Sequence, residues 1–112
     1  MDMVKLKRFD IYLVNLDPTI GSEIKKTRPV VIISPDSMNF SRLKTIIIAP
    51  MTSTIRESFP TRVSTKFKNK EGQIALDQLR AIDRTRILQK LGSLDKETEN
   101  NILNILMVMF QR

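Results

Sequence analysis

The chain has 112 residues, with 19 Lys plus Arg against 12 Asp plus Glu for a net charge of +7, and it contains no Cys, His or Trp. That length supports one hydrophobic core, so a single domain over residues 1–112 is expected. Without cysteine or histidine, disulfide scaffolds, thiol nucleophiles, His-based triads and the usual His/Cys zinc sites are excluded, and any chemistry falls to Arg, Lys, carboxylates, hydroxyls and backbone amides.

Taken in chain order, Phe9 to Asn15 is rich in β-branched and aromatic residues and predicts a strand. Asp17-Pro18-Thr19 breaks it and opens a polar, basic loop from Gly21 through Thr27. Arg28 to Ser34 predicts a strand buried on both faces, with Pro29 tolerated only near its start. Ser34 to Asn39 reads as a turn or one helical turn, with Ser34 available as the cap before Pro35. Lys44 to Met51 is a further apolar strand, ended by Pro50 and the hydroxyl cluster Thr52-Ser53-Thr54, and residues 55–60 form a loop closed by Pro60.

Thr61–Thr65 and Gly72–Leu76 are the next strands, joined by the basic connection Lys66–Glu71. Leu79–Ile82 predicts a short strand, Asp83–Thr85 a turn, and Ile87–Leu91 a last strand ended by Gly92. Asp95 is placed to cap a helix whose Glu97 and Glu99 favour the positive end of its dipole. Ile102, Leu103, Ile105, Leu106, Met109 and Phe110 recur at helical spacing as a packing stripe, and Met107 and Val108 widen it enough for a partner contact. Short strands separated by turn signals, followed by one terminal helix, indicate a mainly β (α+β) fold, a small antiparallel barrel.

The charge is unevenly spread. Residues 1–92 hold 17 basic and 9 acidic side chains, and residues 93–112 hold 2 and 3. A positive field on the body of the domain favours a polyanionic partner through counterion release, the plainer alternative being solubility alone. No apolar run approaches the roughly 18–20 residues that span a bilayer, and Met1–Arg8 lacks the apolar core of a signal peptide. A cytoplasmic protein with no membrane partner is expected.

Two clusters carry chemical promise. Arg28, fixed between the loop and the rigid Pro29, can present a planar fork to phosphate; Glu23 lies five residues earlier, and Thr52-Ser53 ends a strand able to pair with the one Arg28 begins. The bland alternative is a surface ion pair, a solvated glutamate and a simple turn. Asp77-Gln78-Leu79-Arg80 combines an acceptor, an amide and a permanent cation, a set that reads base edges or merely satisfies a strand connection. Arg84, Arg86, Lys66, Lys68 and Lys70 line a phosphate groove or a solvated basic face.

Taken together, Asp10–Thr19, Gly21-Ser22-Glu23, Arg28-Pro29-Val30-Val31, Ala49–Ser53, Asp77–Asp83, Arg86-Ile87 and Lys90–Leu94, in this order, resemble the MazF/PemK/Kid family of toxin endoribonucleases. The resemblance implies an SH3-like β-barrel with a C-terminal helix, a homodimer, cleavage of single-stranded RNA (chiefly mRNA) without metal or other cofactor, and neutralisation by a cognate antitoxin protein. It implies Arg28 and Thr52 as the catalytic pair with Glu23 assisting. Ser22, Ser53, Asp77, Gln78, Arg80 and Arg86 are then the expected RNA contacts. Phe9 stands where the family often has glycine, Ile24–Thr27 replaces its usual Gln and Gly, and Ala75 replaces the acid-donating arginine of the Kid branch.

RNA carries its own nucleophile, so such a site need only align the 2′-OH, assist loss of its proton and stabilise the phosphoryl oxygens. The expected products are 2′,3′-cyclic phosphate and 5′-OH ends. Two functions compete: a non-catalytic nucleic-acid-binding barrel, which charge and fold suit equally, and a topoisomerase-poisoning toxin of CcdB type, which shares the barrel fold but acts by binding protein.

Overall fold

A computed structural model of the protein describes residues 5–24 and 26–112; Met1–Val4 and Lys25, the latter within the expected Gly21–Thr27 loop, lie outside the described residues. Seven strands run β1 (Asp10–Asn15), β2 (Thr27–Ile32), β3 (Thr45–Thr52), β4 (Arg62–Phe67), β5 (Lys70–Ala75), β6 (Arg80–Asp83) and β7 (Ile87–Ser93). A one-turn helix α1 (Asp36–Asn39) separates β2 from β3, and α2 (Lys96–Phe110) closes the chain. All pairings are antiparallel, in the order β4-β5-β3-β2-β1-β7, with β6 added beside β3. This curled half-barrel with one C-terminal helix is the mainly β architecture that the sequence predicts.

The curl gives the sheet two cores, because successive side chains on β1, β2 and β3 point to opposite faces. Ile11, Val31, Ala49 and Met51 join Val63, Ile74 and Ile102 in one cluster, under α2. Tyr12, Val14, Val30, Ile32, Ile46 and Ile48 join Leu6, Leu16 and Ile82 in the other. This explains the unbroken apolar runs of β2 and β3: both faces are buried.

Several local expectations need correcting. Pro50 does not end β3, which continues to Thr52. The proline is accommodated because β3 changes partner there: β6 pairs as far as Ile48, and β5 takes over from Met51. Gly92 likewise lies inside β7, paired with Ile11 where the β1–β7 register shifts. Ser34 does not cap α1, since Pro35 occupies that position; the Ser34 hydroxyl instead donates to Asn39 Oδ1 at 2.6 Å and accepts from the Ile47 amide at 3.2 Å.

The connection expected over Lys66–Glu71 is mostly strand, with only Lys68 and Asn69 in the turn at φ of 50° and 63°. Two consecutive left-handed residues make the tight hairpin turn whose twist matches the strands, and asparagine tolerates that geometry better than most. Phe9 precedes β1 rather than starting it, at φ 72°, with its side chain buried in the α2-side core. A left-handed residue normally favours glycine, so packing of the ring opposes the local strain.

Asp95 caps α2 as expected, accepting from the Thr98 amide at 2.8 Å, and hydrogen bonds from the Thr98 side chain and then its amide hold the Asp95 carboxyl below its ordinary pKa. Ile102 is fully buried, and Leu103, Ile105, Leu106 and Met109 pack around it. Phe110, expected in that stripe, is 72% exposed, beside Met107 and Val108 at 67% each. Periodicity identifies the packing face, but the last turn of the helix has outrun the core it packs on.

Candidate RNA-contacting groove

The β1–β2 loop is folded back by its own polar groups. Glu23 Oε1 accepts from the Ile20 amide at 2.5 Å, and Asp17 Oδ1 accepts from the Lys26 amide at 3.0 Å. Across the groove, the 3₁₀ turn Leu76–Gln78 sends Gln78 Oε1 to accept from the Ile24 amide at 2.7 Å. A loop with little apolar anchoring is thereby tied to the sheet by a residue 54 positions away.

On either side of this tie lie two adjoining depressions that share Ser22, Ile24, Asp77 and Gln78. One, of about 350 Å³, adds Glu23, Pro50, Leu79 and Arg80. The other, of about 390 Å³, adds Thr52, Thr54, Arg56, Phe59 and Arg62. Together they form one polar groove crossing the C-terminal end of β3. Strand ends and the loops they anchor are where small barrels present binding sites.

Thr52 is the last residue of β3, paired with Gln73, and its Oγ1 accepts from the Thr54 amide at 3.1 Å. Arg28 lies on the neighbouring strand opposite Val14, and its Nη1 comes within 3.5 Å of the Met51 carbonyl, one residue from Thr52. The Arg28 guanidinium thus reaches the backbone of the residue before Thr52. The close approach is built into β5: a Cβ on Gly72 would sit 2.8 Å from the Thr52 carbonyl oxygen, so only glycine lets the two backbones come so near.

Asp77 is engaged by the protein itself. Arg62 Nε and Nη2 donate to its two oxygens at 2.8 and 3.3 Å, and Thr61 Oγ1 donates at 3.0 Å. Partial burial works to raise the Asp77 pKa, but the hydrogen bond from Arg62, a backbone amide, Thr61 and the Arg62 charge together hold it below the ordinary carboxylate value. The Arg62 side chain is only 6% exposed, and its guanidinium lies 5.1 Å from the Phe59 ring centroid.

Of the expected contacts, Ser22, Glu23, Thr52, Asp77, Gln78 and Arg80 line the groove, and Arg28 stands behind its Thr52 end. Arg80 also donates to the Leu16 carbonyl at 3.1 Å. Ser53 is exposed just past β3 and lines neither depression, nor does Arg86, whose guanidinium donates to the carbonyls of Asn15 and Asp17. Lys66 borders a different depression, together with Glu57 and Glu71. Sequence reading missed Arg56, Phe59 and Arg62, which it left in a connecting loop and an ordinary strand. An aromatic followed three residues later by arginine was the available signal, since cation and ring stack there. Among the described residues, no three Asp, Glu, His or Cys side chains converge as metal ligands do.

A curled β-sheet with a polar, arginine-bearing groove at its strand ends defines a class of small β-barrels with a candidate binding site, and comparison with known proteins narrows it. Residues 7–110 match the family described as PemK-like, MazF-like toxin of type II toxin-antitoxin system, and the chain belongs to that family. It is 39% identical to Endoribonuclease MazF of Staphylococcus saprophyticus over 108 residues, covering 89% of each chain. Its fold matches a crystal structure of MazF from Deinococcus radiodurans with a TM-score of 0.80 at 20% identity, covering 96% of this chain and 97% of the other. It also matches a mycobacterial endoribonuclease in complex with its cognate antitoxin, with a TM-score of 0.75 at 20% identity and 92% coverage of both. Among the described residues, no helix is long and apolar enough to cross a membrane.

Proposed function

We propose that the chain, an endoribonuclease of the MazF-like toxin class, cuts single-stranded RNA, chiefly mRNA, in the cytoplasm by attack of a ribose 2′-OH on the adjacent phosphate. The observation that carries this reading is the approach of the Arg28 guanidinium to the Met51 carbonyl, next to Thr52, which lines a groove walled by Ser22, Asp77 and Gln78.

In this reading Arg28 binds the scissile phosphate and offsets charge that grows on its non-bridging oxygens. Thr52 donates a hydrogen bond to the same phosphate. Glu23 assists departure of the 2′-OH proton or positions Arg28. The 5′-oxygen leaves as a hydroxyl, and the upstream fragment keeps a 2′,3′-cyclic phosphate. Arg28 is also placed to protonate the leaving oxygen, although a guanidinium of pKa about 12.5 or more is a poor acid. No metal enters the scheme. Asp77, already held by Arg62, presents acceptor character to a base edge, with Gln78, Ser22, Ser53, Arg80 and Arg86 as further contacts.

A cognate antitoxin protein neutralises the enzyme. A second copy covers the exposed Met107, Val108 and Phe110, which makes a homodimer the working form.

Incubation of the protein with a long RNA in excess EDTA, followed by mapping of 5′ ends, tests the reading. Internal cuts with 5′-OH ends are expected. Loss of one well-placed donor costs about 10²–10³ in rate, so Arg28→Ala should abolish detectable cutting and Thr52→Ala should slow it, both with the fold and antitoxin binding intact. Retardation of RNA without cutting would favour the binding-module alternative, and topoisomerase inhibition without RNA cleavage the CcdB-type one.

A further inference from the structure

A second depression, of about 460 Å³, lies between α1 and the start of β3, at the opposite end of that strand from Thr52. Lys5, Arg42, Lys44 and Arg84 border it, along with Phe40 and Leu43. Among the described residues, no carboxylate lines it. Phe40 is 56% exposed and Leu43 53% exposed, in a chain where most large apolar side chains are buried.

The loop is not loosely held. Arg84 Nε donates to the Leu43 carbonyl at 2.7 Å and its Nη2 to the Met38 carbonyl at 3.2 Å, so the ring and the flanking cations are presented from a braced segment. Two described carboxylates near it are already engaged. Asp36 accepts from the Arg8 amide at 2.8 Å, and Asp83 accepts from the Thr85 amide and hydroxyl at 2.9 and 2.8 Å, with Lys44 and Arg86 close enough to lower its pKa further.

Strand β6 links this patch to the groove. Arg80 lines the groove at one end of β6, and Arg84 follows directly after the other end. Four residues of extended chain span about 13 Å, a short distance for a single strand of nucleic acid. Cations that track a backbone, beside an aromatic face on which a base can stack, are what sequence-tolerant single-strand binding requires.

We propose that the Phe40–Lys44 patch is an auxiliary binding site for single-stranded RNA, which holds the part of a long substrate that extends beyond the catalytic groove. The inference rests on the reading of the chain as an RNA-cutting enzyme and adds to it a preference for long substrates. Phe40 stacks a base, and Arg42 and Lys44 neutralise phosphates. Arg84 holds the loop in place.

The test uses a fluorescein-labelled 2′-O-methyl RNA of about 16 nucleotides, which lacks the nucleophile and cannot be cut, titrated with the intact protein by anisotropy across about 50–200 mM salt. Removal of two phosphate contacts should lower the slope of log affinity against log salt by about 0.7 per contact in Arg42→Ala/Lys44→Ala. Phe40→Ala should weaken binding about five-fold or more with the slope unchanged. Neither variant should alter binding of an oligonucleotide of about 4 nucleotides, which the groove alone accommodates. Unchanged affinity and slope in both variants overturn the proposal, as does a change of assembly state in Phe40→Ala by sedimentation, which would assign the patch to a protein contact. Because the probe is uncleavable, these results stand whether or not the wild-type protein cuts RNA, and cutting of an ordinary RNA by the same preparation reports on that separately.

Discussion

Gly72→Ala is the sharpest probe of how the fold sets the catalytic geometry, because it touches no RNA. A Cβ at position 72 would stand 2.8 Å from the Thr52 carbonyl oxygen, whereas ordinary contact begins at 3.4 Å, so β3 and β5 must separate by the difference, about 0.6 Å. The neighbour is backbone in a paired strand, which cannot rotate away as a side chain would. Its displacement carries Thr52 and, through the Met51 carbonyl, the contact of Arg28. A misplacement of about 1 Å in a catalytic array costs on the order of 10²-fold, so a shift of this size should lower kcat about ten-fold. KM should change little, since the groove walls formed by Ser22, Ile24 and Gln78 are untouched. Overpacking also costs about 1–3 kcal/mol of stability, so rates are compared well below the melting temperature of each variant. Single-turnover cleavage of one defined RNA, with circular dichroism confirming the fold, is the assay. Wild-type kcat in Gly72→Ala, alongside a large loss in Thr52→Ala, would refute the idea that this strand contact sets the position of the threonine.

Other consequences concern the groove walls. Asp77→Asn leaves the nearly buried Arg62 without its carboxylate and, because Asp77 itself is solvent-exposed and screened, should destabilise the protein by about 1 kcal/mol at neutral pH. Because folding lowers the Asp77 pKa, this stabilisation is fully present above its unfolded value, about 3.9, and is lost as pH falls through the folded one. Thermal melts of the two proteins should therefore differ at pH 7 and converge in acid, and a gap that persists in acid would point to packing instead. Gln78→Leu removes the acceptor for the Ile24 amide, so faster hydrogen exchange of loop amides is expected, together with weaker RNA binding and little change in the melting temperature. Unchanged exchange would show that the loop is held by its Glu23 and Asp17 contacts alone.

What the sequence made legible follows from which forces are local. The Asp95 cap, the central residues of α2 and the doubly buried runs of β2 and β3 depend on neighbours in the chain or on hydrophobic pattern, and each stands where it was expected. Pro50 and Gly92 were read as strand ends because proline and glycine weaken ladders in general. Where a strand changes partner or its register shifts, those residues meet no penalty, and only pairing data reveal such places. The Lys68-Asn69 turn was hidden because it lacks the glycine that usually advertises two left-handed residues. At the site, Arg28, Glu23 and Thr52 were visible as residue types suited to phosphate chemistry. Arg62 was not, because its significance comes from Asp77, 15 positions away, and from the ring of Phe59.

The partner change in β3 unites these features. A strand that pairs with β2 along one edge and with β6 then β5 along the other must bend at the junction, and Pro50 marks that bend beside the groove. Beyond it, Met51 and Thr52 are held between Arg28 of β2 and Gly72 of β5, so the hydroxyl and the guanidinium come from two strands that pair directly with each other. Elements built this way need no flexible closure to bring their groups together, because the pairing that stabilises the sheet also sets their separation. The other wall of the groove is the Gly21–Ile24 segment, tethered at Gln78 through the Ile24 amide. Changes at Ser22 or Ile24 should alter which RNA sequence is admitted more than how fast an admitted phosphate is cut, whereas changes at Arg28, Thr52 or Gly72 should do the reverse.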